Sequence, residues 1–148
     1  MICERQNMRV AIASDHGGFD QKQELIGYLS ELGCEVQDLG PETCDPVDYP
    51  DYALPVAESV ASGDADFGVL LCGTGIGMAI AANKTAGIRA ANVTSPQFAA
   101  LAREHNDANV VALSGRFVDL DTNKEIVRTF LETPFAGGRH ERRVNKIE

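Results

Sequence analysis

Residues 67–84 read FGVLLCGTGIGMAIAANK, an apolar run followed by a glycine-rich turn and a second apolar segment. Residues 67–71 have the length and continuous hydrophobicity of a strand that is buried on both faces of a sheet. Residues 76–84 suit a helix, so the stretch predicts a strand, a tight turn and a helix. Strands of this kind are typical of parallel sheets with helices on both faces.

Strand and helix signals alternate along the rest of the chain. We expect strands at residues 9–13, 34–39, 67–71, 88–93 and 109–113, and helices at residues 19–32, 52–62, 76–84, 96–104 and 120–132. Gly33 stands where a left-handed residue ends a helix. The order predicts a three-layer α/β/α, doubly wound, Rossmann-like fold with a mostly parallel sheet of about five strands. Ligands of such folds bind outside the carboxyl ends of the strands.

Length and charge limit the possible functions. The 148 residues fit a single domain, 1–148, in which residues 137–148 form a basic C-terminal tail. The net charge of −9 argues against nucleic-acid binding, which needs clustered Lys and Arg. No apolar run is long enough to span a bilayer and no secretory signal is evident, so we expect a cytoplasmic protein without a membrane partner.

The four cysteines do not suggest a metal site. Their positions, 3, 34, 44 and 72, show no CxxC pairing and lie far apart. Such spacing is more typical of reduced thiols than of a disulfide framework or a zinc site. We therefore expect reduced cysteines and no bound metal.

The turn Cys72-Gly73-Thr74-Gly75-Ile76-Gly77 carries the strongest chemical signal. Its glycines allow backbone N–H groups to converge beside a helix start, which favours a bound anion and the thiolate form of Cys72. A dinucleotide fingerprint fails because the third glycine comes one residue early, and the Gly-Lys-Ser/Thr ending of a P-loop is missing. A cysteine phosphatase would need an arginine shortly after the cysteine, and this chain has none there. A buried strand-end cysteine can also be a simple apolar residue.

Histidines and arginines are the other candidates. Polar segments that predict loops contain all three histidines, His16, His105 and His140. A surface role suits His140 best. For His105 a catalytic role and a non-functional surface role are equally open. Arg139 and Arg143 are spaced i, i+4, so in a helix they could clamp one phosphate, although a solvated tail would also explain them. Arg116, after the strand at 109–113, is a further candidate anion contact.

Seven stretches in order resemble the ribose-5-phosphate isomerase B family, in the wider group with allose-6-phosphate and galactose-6-phosphate isomerases. They are residues 14–18 (SDHGG), 48–50 (DYP), 72–77 (CGTGIG), 81–84 (AANK), 87–90 (GIRA), 104–109 (EHNDAN) and 138–143 (GRHERR). Some members use a glutamate as base and others a cysteine. Because it has Cys72, this chain resembles the cysteine branch. Residues 1–7 lie outside the match.

The resemblance implies an aldose–ketose isomerase of the pentose phosphate pathway that interconverts ribose 5-phosphate and ribulose 5-phosphate through an enediolate. Cys72 would be the base and His105 the acid that opens the sugar ring. The implied contacts to sugar or phosphate are Asp15, His16, Gly73, Thr74, Gly75, Ile76, Gly77, Asn106, Arg116, Arg139 and Arg143. The family uses no metal or organic cofactor, and its members are dimers or tetramers with sites between subunits. Two alternatives stay open: the protein isomerises a six-carbon sugar phosphate such as allose 6-phosphate, or it is a non-catalytic phosphosugar-binding module.

Overall fold

The computed structural model describes residues 8–147, in which a five-stranded parallel sheet lies between helices. The strands are β1 (Arg9–Ser14), β2 (Glu35–Asp38), β3 (Phe67–Cys72), β4 (Ala90–Asn92) and β5 (Val110–Ser114). The helices are α1 (Phe19–Glu31), α2 (Tyr49–Ser62), α3 (Ile76–Ala82), α4 (Pro96–Asn106), α5 (Leu120–Glu132) and α6 (Arg139–Val144). The strand order is β2-β1-β3-β5-β4, and the predicted fold class is confirmed. None of these helices has the length and hydropathy to cross a membrane.

Two apolar layers cover the two faces of the sheet. On one face α1, α4 and α5 contribute Leu25, Ala99 and Phe130 to a buried cluster. On the other face α2 and α3 contribute Val56 and Met78 to a second cluster. Because both faces are covered, every residue of β3 after the first is buried, as its continuous apolar run predicts.

Most element boundaries lie close to the predicted ones, and α5 matches residues 120–132 at both ends. Helix α2 begins at Tyr49 rather than at residue 52, because Pro50 in the first turn needs no partner for a backbone N–H. Helix α4 continues to Asn106 instead of 104, and Asp107 ends it with a left-handed φ of 48°. Gly33 has the expected positive φ, 88°.

A buried lysine fixes the loop after β2. Lys22 is fully buried, and its Nζ donates to Asp38 Oδ1 and to the Pro41 carbonyl oxygen, both at 2.9 Å. The Gly40 carbonyl oxygen accepts the N–H of Ser14 at 3.1 Å. The loop is therefore held against the carboxyl end of β1, beside the predicted site.

The expectation of reduced cysteines is wrong for Cys34. Cys44 is an exposed free thiol and Cys72 a buried one. Cys34 is disulfide-bonded, and Cys3 lies outside the described residues. Sequence spacing does not reveal which cysteines the fold brings within bonding distance.

Candidate active site

Three loops meet at the carboxyl edge of the sheet, after β1, β3 and β5. The Gly115 N–H donates to the Cys72 carbonyl oxygen at 2.9 Å. The Ser114 hydroxyl donates to the Gly73 carbonyl oxygen at 2.7 Å. A Cβ on Gly115 would lie only 2.6 Å from the carbonyl oxygen of Gly17. The three loops therefore form one closely packed surface.

Cys72 is the last residue of β3 and is 6% exposed. Its Sγ accepts a hydrogen bond from the Gly75 N–H at 3.1 Å, an interaction that stabilises negative charge on sulfur. Thr74 Oγ1 accepts the Ile76 N–H at 3.1 Å and so fixes the turn. The N–H groups of Gly73 and Thr74 donate to no acceptor within residues 8–147. They are available to an oxygen of a bound molecule.

At Gly75 in this turn a side chain does not fit. Its φ is 85°, and a Cβ there would lie 2.5 Å from Asn92 Nδ2 and 2.9 Å from the Leu113 carbonyl carbon. The Asn92 amide is itself fixed, because it donates to the carbonyl oxygens of Thr74 and Ala112. The backbone of β5 and this amide therefore require glycine.

Gly75→Ala is expected to lower the free energy of unfolding by about 2–4 kcal/mol, since steric overlap adds to the strain of a positive φ. Urea denaturation measures this loss. Gly87→Ala is the matched control: Gly87 also has a φ of 85°, but no atom lies within 4 Å of its Cβ position. That variant should lose only about 1 kcal/mol. Equal losses at the two positions would contradict the steric explanation.

Arg116 and Asp15 border the glycine turn. The Arg116 Nη1 lies 3.2 Å from the Cβ position of Gly73, so the guanidinium covers the start of the turn. Asp15 Oδ1 accepts the Gly17 N–H at 2.8 Å, which orients its carboxylate within the loop after β1. A cation and an oriented carboxylate suit a ligand with phosphate and hydroxyl groups.

His16 and Tyr49 extend this surface. His16 Nδ1 accepts the Val47 N–H at 3.2 Å, so in its neutral form the ring carries its proton on Nε2. A cavity of about 430 Å³ lies beside it, lined by His16, Pro46, Val47, Asp48, Asp51 and Tyr52. The Tyr49 ring packs within 2.7 Å of the Cβ position of Gly77. Tyr49 belongs to the DYP stretch but was not among the predicted site residues.

A second group of predicted residues surrounds two stacked histidines. The His105 ring, on the last turn of α4, lies 4.3 Å from the His140 ring on α6, with 12° between their planes. Helix α6 also carries Arg139 and Arg143. Burial, and then the positive charges of His105, Arg139 and Arg143, lower the pKa of His140. The prediction of loops is wrong for both histidines, because their polar segments are exposed helical turns.

These two groups lie at opposite edges of the sheet. The end of α4 is tied to the start of β5, where Arg103 Nη1 donates to the Ala108 carbonyl oxygen at 2.7 Å. Cys72 instead pairs with Ser114 at the far end of β5. The five residues of β5 span about 13 Å, at about 3.3 Å per residue. Cys72 and His105 therefore do not share a site within one chain.

We name the two groups by the edge at which they lie. The carboxyl-edge group comprises Asp15, His16, Cys72, Gly73, Thr74, Gly75, Ile76, Gly77 and Arg116. The amino-edge group comprises His105, Asn106, Arg139, His140 and Arg143. Within residues 8–147, no group of three or more His, Cys, Asp or Glu side chains is placed to hold a metal ion.

Comparison with known proteins identifies the family. The profile of the ribose/galactose isomerase family matches residues 10–147. The chain belongs to this family. The resemblance that the sequence motifs indicated is thereby confirmed.

Relatives of this chain are similar to it over nearly its whole length. Ribose-5-phosphate isomerase B of Escherichia coli is 48% identical over 139 residues, which cover 94% of this chain and 93% of the relative. The structure of Clostridium thermocellum ribose-5-phosphate isomerase B is 51% identical, with a TM-score of 0.94 and 95% of each chain covered. The Mycoplasma genitalium ribose-5-phosphate isomerase B structure with bound ribulose-5-phosphate is 48% identical, with a TM-score of 0.91 and coverages of 95% and 93%.

Proposed function

We propose that this protein is a cytoplasmic ribose-5-phosphate isomerase of the pentose phosphate pathway. The observation that carries the proposal is the Cys72 Sγ, held 3.1 Å from the Gly75 N–H beside the available N–H groups of Gly73 and Thr74. A base next to oxyanion donors suits proton transfer at a carbon adjoining a carbonyl. The E. coli relative and the M. genitalium complex support the choice of substrate.

The isomerisation step moves one carbon-bound proton. The Cys72 thiolate removes the C2 proton of the open aldehyde and returns it to C1, while the C1 oxygen gains a proton and the C2 hydroxyl loses one. Negative charge develops on the C1 oxygen, where the N–H groups of Gly73 and Thr74 stabilise it. One such donor is worth about 3 kcal/mol in comparable sites. Oxidation and reduction both occur within the sugar, so we propose a reaction without metal or organic cofactor.

Ring opening needs an acid, and we assign that role to His105. Its imidazolium protonates the ring oxygen while the anomeric hydroxyl loses its proton, which yields the open aldehyde. Because Cys72 lies at the other edge of the sheet, the His105 that serves it would come from a second copy. We therefore propose a homo-oligomer, a dimer or tetramer, whose sites combine the carboxyl-edge group of one protomer with the amino-edge group of its partner.

An exposed apolar face beside the carboxyl-edge group supports this assembly. Ile76 and Ile80 lie one turn apart on α3 and are 53% and 59% exposed. Adjacent exposed isoleucines next to a polar site are typical of a surface that is covered by another chain. A second copy seated there would border the site it completes.

Arg139 and Arg143 are proposed to hold the phosphate. Arg139→Gln and Arg143→Gln are each expected to raise KM by about 10-fold to 100-fold while kcat changes less than about threefold, because the phosphate is remote from the bonds that change. Initial rates over a range of ribose 5-phosphate concentrations measure both constants. Arg142→Gln, an exposed change on the same helix, is the matched control. A fall in kcat at unchanged KM would contradict the phosphate clamp.

The function is tested by incubating the purified protein with ribose 5-phosphate, without added metal, and following ribulose 5-phosphate formation. Allose 6-phosphate and galactose 6-phosphate are assayed in parallel. We expect the five-carbon substrate to have the highest kcat/KM. Faster turnover of a six-carbon phosphate would make that sugar phosphate the substrate instead of ribose 5-phosphate. Binding of these sugar phosphates without turnover would indicate a phosphosugar-binding module.

A further inference from the structure

We infer that His140 is a positioning residue that fixes the ring plane of the catalytic acid by stacking on it. The inference rests on the proposed role of His105. The two rings lie 4.3 Å apart and 12° from parallel, so one face of each ring is covered while the edges that carry the nitrogens stay free. The sequence alone suggested only a surface role for His140.

The stack depends on how the C-terminal segment returns to α4. The Ala136 N–H donates to the Glu104 carbonyl oxygen at 3.1 Å, immediately before the acid on α4. Gly137 and Gly138 then turn the chain with φ values of 68° and 57°, which glycine adopts at little cost. Val144, 7% exposed, anchors α6 on the body of the protein. The His140 ring is thus held in place by backbone contacts and by a buried side chain.

Holding the His105 ring has a direct chemical consequence. His105 is exposed on the last helical turn, where a free side chain would sample several rotamers. The stacked neighbour restricts those rotamers, so less entropy is lost when a ring nitrogen must face the sugar oxygen. Proton transfer requires that alignment within a few tenths of an ångström.

The surroundings of the stack favour the neutral form of His140. Groups facing His140 come from both packed helices: Arg139 and Arg143 on α6, and Glu104 and His105 on α4. Burial and the three positive neighbours lower the pKa of His140, and only Glu104 opposes them. A neutral His140 can stack on the His105 ring without the repulsion that two adjacent cations would feel. The lowered pKa of His140 is therefore compatible with close stacking of the two rings.

The test compares His140→Ala with His140→Phe. His140→Ala is expected to lower kcat for ribose 5-phosphate about 10-fold with KM changed less than about twofold, because the acid is misaligned but the phosphate contacts persist. His140→Phe keeps the aromatic face and should restore kcat to within about twofold of the parent protein. In NMR spectra the upfield ring-current shift of the His105 ring protons should be retained in the His140→Phe variant and lost in the His140→Ala variant.

A substrate that cannot close a ring separates this role from a general structural one. Erythrose 4-phosphate cannot form a furanose, because its phosphate occupies the hydroxyl that would close the ring. The deficit of His140→Ala should therefore be much smaller with erythrose 4-phosphate than with ribose 5-phosphate. An equal deficit with both substrates would overturn the inference.

Two further results would overturn the inference while leaving the proposed function intact. One is a His140→Ala variant whose kcat is unchanged, while the kcat of the His105→Asn variant is lowered. The other is a His140→Phe variant as impaired as His140→Ala, which would mean that a nitrogen of His140 acts on the substrate. An unimpaired His105→Asn would instead overturn the acid assignment, and the stacking role with it.

Discussion

Cys72→Ala is expected to lower kcat for ribose 5-phosphate by about 10³-fold or more, with KM within about threefold of the parent value. The variant keeps the arginines and the glycine turn but has no group that can accept the C2 proton. The Cys72 thiol is buried and its Sγ accepts the Gly75 N–H, whereas the other cysteines among residues 8–147 are the disulfide-bonded Cys34 and the exposed Cys44. Ketose formation under saturating substrate gives kcat directly.

Two further variants control for disturbance of the turn. Cys72→Ser keeps an acceptor for the Gly75 N–H, but a hydroxyl is a far weaker acid than a thiol and supplies little anion. Its kcat should therefore resemble that of the alanine variant. Cys44→Ala removes an exposed free thiol and should leave kcat unchanged. A Cys72→Ala protein that retained most of its turnover would show that another group is the base.

His105→Asn is expected to lower kcat for ribose 5-phosphate by about 10²-fold, because asparagine cannot supply the proton that opens the ring. The loss should be much smaller for erythrose 4-phosphate, which is already acyclic. Parallel assays of the two substrates isolate the ring-opening step, since both need the same thiolate. Equal losses on the two substrates would contradict the assignment of His105 to ring opening.

Much of the fold could be predicted because the buried strands are continuous apolar runs. The run before Cys72 and the amphipathic segment 120–132 both appear where periodicity places them. Predicted helix ends were wrong where polar residues form exposed helical turns. His105 and Asn106 resemble loop residues, yet they complete α4. The predicted start of α2, residue 52, is three residues late, because proline disfavours a helix interior but suits the first turn, where Pro50 lies.

The candidate site residues were named one by one from the sequence and stay predictions, whereas their division between the two edges of the sheet was not predicted. Topology contained the signal: the helix that carries His105 leads into β5, so it ends at the amino edge, whereas Cys72 follows β3 at the carboxyl edge. The contact between His105 and His140 was beyond prediction, because it depends on how α6 docks on α4. No local pattern records such a tertiary contact.

The claim that each active site is shared between two copies is tested by co-expressing Cys72→Ala and His105→Asn chains and assaying the purified mixture of parental and hybrid assemblies. Each variant alone should be almost inactive. In a hybrid, a His105→Asn chain can supply Cys72 while a Cys72→Ala chain supplies His105, so random assembly should restore about a quarter of the parent activity. Hybrids no more active than the separate variants would contradict a site built from two protomers.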